Sequence, residues 1–128
     1  MASGLPRLCR VTPDELKDRT KQFAMEVIKL ARSLPSEPAT DHITRQLLRS
    51  AAAVGANYRA SCRAKSRADF VSKMTTVEEE ADECLYWLTL LVETESVPRK
   101  RVATLLDEAE QILRIIVASI KTARRHSR

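Results

Sequence analysis

Glycine is nearly absent from this chain, with two residues in 128, and the shortage bears directly on fold class. Sheets need frequent turns and draw on glycine for them, so a chain this poor in it favours long helices. The five prolines fall near the start or in candidate connections. Cysteine is scarce too: Cys9, Cys62 and Cys84 are an odd number with no CxxC spacing. That argues against a disulfide framework and fits a reducing compartment. No apolar run approaches the length of a membrane span. The first twelve residues carry Arg7 and Arg10 but lack an apolar signal core, so a cytoplasmic location is expected.

Catalytic chemistry is missing in the same way. His42 and His126 sit at helix ends, and neither has a glutamate three residues before it, so the inward Glu-x-x-His pairs of a di-iron bundle are not available. No metal ligand and no cofactor is expected. No serine or cysteine has a histidine near it at helical spacing, and no glycine-rich phosphate loop occurs. The run Glu78-Glu79-Glu80 with Asp82 and Glu83 could supply paired carboxylates. At that density around a helix, such groups are more commonly a solvated or salt-bridging face. The expectation is a protein that is not an enzyme.

What is present is helical periodicity. Residues 1–11 read as a flexible arm, and 12–126 as one domain, long enough to bury a core without staples. Thr12-Pro13-Asp14-Glu15 is a helix start, with Thr as N-cap, Pro at the first helical position and Glu three residues on. Leu16, Phe23, Val27, Leu30 and Leu34 follow at helical spacing and predict a helix over 13–34, stopped by Pro35 and Pro38. Thr40 or Asp41 is the expected cap of a second helix over 41–65. Ser66-x-x-Asp69 opens a third over 67–96, and Pro98 precedes a fourth over 98–125. Four helices with short links predict an all-α, antiparallel up-down-up-down four-helix bundle.

The two central helices carry opposite charge. From Asp41 to Arg67 the net is +5, and from Ala68 to Val97 it is −7. Helices of opposite sign attract, within one bundle or between copies. At about 100° per residue, Arg45, Arg49, Arg59 and Arg63 lie within roughly 40° of one line. Ala52 and Ala56 lie between them and leave room for another backbone or a phosphate. On the third helix Glu79, Glu83, Tyr86 and Leu90 point away from the core stripe, with Trp87 on the flank. An aromatic pair and a leucine beside carboxylates suggest a contact surface. Arg45, Arg49, Glu79, Glu83, Tyr86, Trp87 and Leu90 are therefore the expected subunit interface.

The chain is moderately basic, with a net charge of +5 and a pI near 9.4. Arg59, Arg63, Lys65 and Arg67 cluster near the end of the second helix, and Arg124 and Arg125 near the end of the fourth. These six are the candidate nucleic-acid-binding residues. Phosphate contacts of this type give affinity with little sequence information.

The stretch Gln46-Leu-Leu-Arg-Ser-Ala-Ala-Ala-Val-Gly-Ala-Asn57, then Tyr58-Arg59-Ala60 and Ser66-Arg-Ala-Asp-Phe70, resembles the bacterial four-helix bundle protein family. The run Glu78 to Glu83 leading into Tyr86-Trp87-Leu88 is similar as well. That family includes proteins encoded in intervening sequences of large-subunit ribosomal RNA genes and the accessory variability determinant of diversity-generating retroelements. The resemblance implies a homopentamer of up-down bundles with a basic surface. In the retroelement branch it implies binding of RNA or DNA and of a reverse transcriptase. The chain departs from the ribosomal branch at Asn57-Tyr58-Arg59-Ala60-Ser61, where that pattern favours Asn-Ile-Ala-Glu-Gly, and this weighs against an rRNA-linked role.

Two functional expectations follow. One is an oligomeric accessory protein that binds nucleic acid with little sequence specificity. The other is a protein–protein adaptor whose arginine stripe is consumed in subunit contacts. Arg49 can meet Glu80 or Glu83 at similar heights in an antiparallel pair. On that basis Arg49→Ala is expected to weaken assembly and Arg49→Lys to restore part of it, because the bidentate fork is lost. Oligomer size and the melting curve are the readouts, and no change in either would remove the pair from assembly.

Overall fold

The computed structural model describes residues 11–126, so the proposed arm lies outside the described residues except for Val11, which packs against the core. Helix α1 spans Pro13–Ser33, α2 Pro38–Ser61, α3 Arg67–Glu93 and α4 Arg99–Arg125. The links between them are four or five residues long. Each helix packs on its chain neighbour, and α1 closes the ring on α4. This is the expected all-α up-down-up-down bundle.

The caps explain the boundaries. Thr12 Oγ1 accepts from the Glu15 N–H at 3.1 Å, and Glu15 returns the bond to the Thr12 N–H at 2.9 Å. The second helix starts three residues before the expected Asp41. Glu37, not Thr40 or Asp41, is its cap, accepting from the N–H groups of Ala39 and Thr40. Pro38 opens this helix rather than ending the one before, because a first-turn residue needs no N–H partner. At its other end α2 stops at Ser61, short of the expected 65. Ser66 then caps α3 by accepting from the Asp69 N–H at 3.0 Å, while Asp69 accepts from the Lys65 N–H at 3.1 Å. Helix α3 ends at Glu93, not 96. Glu95 takes φ 61°, and the N–H groups of Glu95 and Ser96 bond back to Val92 and Leu91. This is a Schellman ending with glutamate where glycine is usual.

The core follows the periodic stripes. Val27, Met74, Val77, Cys84, Leu88, Leu91, Val102 and Ile116 are fully buried. Leu34, expected in the core, joins Phe70, Leu85, Val92, Leu105, Leu106 and Leu113 in a half-buried shell around it. Ile115 and Thr20 are buried without having been expected. Thr20 is small and satisfies its hydroxyl by donating to the Lys17 carbonyl at 3.1 Å. It faces Gly55, and a Cβ built on that glycine would lie 3.5 Å from Thr20 Oγ1, an ordinary contact.

Gly55 therefore costs helix stability without being required for clearance. Gly55→Ala should raise stability by about 0.5–1 kcal/mol, read as a higher denaturant midpoint at unchanged slope. A lower midpoint would mean that α1 and α2 sit closer than this geometry allows.

Candidate nucleic-acid interface

Alternating helix direction places the start of α1, the end of α2, the start of α3 and the end of α4 at one end of the bundle. Arg59, Arg63, Lys65 and Arg67 therefore lie at the same end as Arg124 and Arg125, although more than fifty positions separate the two clusters. All six side chains belong to exposed residues, and none enters an ion pair among the described residues. Lys121 adds a further exposed cation one turn before Arg125.

The carboxylates at this end are engaged locally. Asp69 binds Lys73 at 2.7 Å, and Lys73, with the Lys65 N–H, holds its carboxyl below the ordinary range. Glu15 is committed to the Thr12 cap, and Asp14 lies 3.9 Å from Lys17. The opposite end is balanced in sign, holding Arg32, Arg99, Lys100 and Arg101 with Glu37, Asp41, Glu93 and Glu95. Excess positive charge thus belongs to one end only.

A groove of about 560 Å³ opens at this basic end, between the start of α3 and the last turns of α4. Phe70 and Arg67 line it from α3, and Ile115, Ala118, Ser119, Thr122 and Ala123 from α4, with His126 just past the end of α4 and Val11 completing the lining. The residues of α4 recur at three and four positions, which is one face of a helix.

The expected subunit-interface residues fall into separate groups. Arg45 is exposed and forms no ion pair among the described residues, and the exposed Ala52, Ala56 and Arg59 continue its stripe. Arg63 does not extend that stripe as a helical residue, because α2 has already ended. Arg49 is spent inside the chain. Its fork reaches Glu80 at 3.3 Å and also Glu83, joining α2 to α3. Glu83 Oε1 accepts in addition from the buried Ser50 hydroxyl at 2.8 Å and from the Trp87 ring N–H at 3.3 Å.

Trp87 is half-buried rather than outward. It packs edge-on against His42 of α2, with centroids 6.1 Å apart, and against Tyr86 at 4.9 Å. Leu90 is half-buried as well, because both residues lean against the edge of the core. Only Tyr86, 58% exposed, and Glu79 keep the outward placement expected of them.

Sequence reasoning did not find Arg19. Its guanidinium makes a two-point contact with Glu108, at 2.9 and 2.7 Å, and reaches Gln111 at 3.1 Å. This clamp joins α1 to α4, the helices that touch least around the ring. The thiol of Cys84 is pushed up to about 12 by burial, which keeps it protonated and unreactive. Among the described residues no cluster of His, Cys, Asp and Glu could hold a metal. Among the described residues no helix is long and apolar enough to cross a membrane.

Fold and surface together define a class: an up-down four-helix bundle with one basic end. Residues 15–118 match the family described as 23S rRNA-intervening sequence protein, and the chain belongs to that family. A crystal structure of a protein with unknown function, of the S23 ribosomal protein family from Bacteroides thetaiotaomicron, is similar at 33% identity with a TM-score of 0.79. The match covers 85% of this chain and 97% of that one. No curated protein matches the chain. The departure at 57–61 does not remove the chain from the family, and two of the departing residues are accommodated in the interior. Tyr58 and Ser61 are both buried there, and the Ser61 hydroxyl donates to the Tyr58 carbonyl.

The Glu83 carboxyl is held below its ordinary value of 4.5, first by the Ser50 hydroxyl, then by Trp87 and Arg49. A depressed folded value means the stabilisation is complete above the ordinary glutamate range and is lost as pH falls through the folded value. Glu83→Gln should therefore lower the melting temperature at neutral pH and shrink the gap to wild type on acidification. A gap that stays constant into acid would remove Glu83 from the pH dependence.

Proposed function

We propose that this chain is a non-enzymatic accessory protein that binds nucleic acid through the basic end of its bundle, with little sequence preference. The observation that carries the reading is the placement at that end of two cation clusters remote in sequence, all six side chains free of ion pairs among the described residues. Polyanions release counterions at such a surface, which supplies affinity without base readout. The family resemblance supports a homo-oligomer, a pentamer, in the cytoplasm, and its retroelement branch supports work beside a reverse transcriptase.

A second reading has its own support. The exposed strip Arg45–Ala52–Ala56–Arg59 and the exposed Tyr86 suit a protein-binding face, as an adaptor would have. Nuclease treatment separates the two: an adaptor keeps its partner and a nucleic-acid binder releases it.

The salt dependence of binding to RNA or DNA tests the first reading. Affinity should fall steeply as salt rises. Replacing Arg59, Arg63 and Arg67 together should reduce the log–log slope by roughly 2–3, from about 0.7–0.9 per phosphate contact. Absence of binding at low salt would overturn it.

A further inference from the structure

The groove at the basic end has the chemistry of a seat for an unpaired nucleobase. Resting on the nucleic-acid reading above, we propose that the chain takes single-stranded nucleic acid, with one base lodged between α3 and α4 and the adjoining phosphates on Arg67 and Arg125.

The floor of the groove is apolar. Phe70 is half-buried, Ile115 is 4% exposed, and Ala118 and Val11 complete the surface. Its volume of about 560 Å³ lies within the usual range for small-molecule sites, so a planar ring system has room. Ser119, Thr122 and His126 add polar groups to the lining. Among the described residues neither of these hydroxyls has a hydrogen-bond partner. A hydroxyl can donate or accept, so such a wall tolerates any base.

The rim supplies the charge. Arg67 lines the groove directly, and Arg125 lies on the flank of the α4 face that forms its wall. Cations beside an apolar, partly aromatic slot match the two halves of a nucleotide.

Geometry also selects the form of the polyanion. A duplex keeps its base faces stacked inward and offers a protein only backbone and groove edges. It would engage the arginines and leave Phe70, Ile115 and Ala118 without a partner. An unpaired strand can use both.

The test is fluorescence anisotropy with the full chain at one fixed salt concentration. The probes are oligo-uridine, oligo-thymidine, an abasic strand of the same length, and a duplex. The base-bearing strands should bind about tenfold tighter than the abasic strand, the order expected of one stacked base. The uridine and thymidine arms distinguish RNA from DNA as the source of the base. Ala118→Leu fills the groove and should bring base-bearing and abasic strands to equal affinity, with the salt slope unchanged. Ser119→Leu serves the same purpose should the first variant melt. Equal binding of abasic and base-bearing strands by the wild type, or a preference that survives both filled grooves, would overturn the seat while leaving the nucleic-acid reading intact. Failure of every probe to bind at low salt would overturn both.

Discussion

Short links between apolar-faced helices constrain everything else in this protein. Four or five residues can only return the chain alongside the helix it has just left, so direction must alternate. Alternation makes the end of α2, the start of α3 and the end of α4 neighbours. Their cations then share one surface because the core leaves them no other place. Self-repulsion among them opposes folding, and the buried stripes from Leu16 to Ile120 must outweigh it.

The opposite charges of α2 and α3 act chiefly inside the chain. Arg49, Glu80, Glu83, Ser50 and Trp87 form one connected polar cluster along the most extensive helix seam. A two-pronged cation between two carboxylates fixes how far one helix slides past the other, a role in register rather than in net stability. Arg19 and Glu108 do the same for the thinner α1–α4 seam. With Arg49 committed, the arginines of α2 left without an ion pair among the described residues are Arg45 and Arg59, and Arg59 belongs both to the basic end and to the Arg45 strip.

Much of the fold was legible because helical periodicity and caps are local signals. Thr12 and Ser66 cap the helices they were expected to cap, since their partners lie three residues away. Pro38 misled because proline both breaks a helix and opens one, and only Glu37 ahead of it decides which. Glu95 misled at the end of α3 because the left-handed position it fills usually belongs to glycine. Trp87 was read as a subunit-interface residue because an angle on one helix cannot show that His42 of another lies against it. The site was legible as two separate clusters of arginines. Their union, the groove beside them and the Arg19 clamp required knowing which helices touch.

The central claim is that nucleic acid lands on one end of the bundle and not the other. Backbone amide shifts followed during titration with a single-stranded oligonucleotide test this directly. Perturbations should gather in residues 58–72 and 115–126, with residues 32–41 and 93–102 unmoved despite Arg99, Lys100 and Arg101. Perturbations centred on that second group, or spread evenly along the helices, would contradict it.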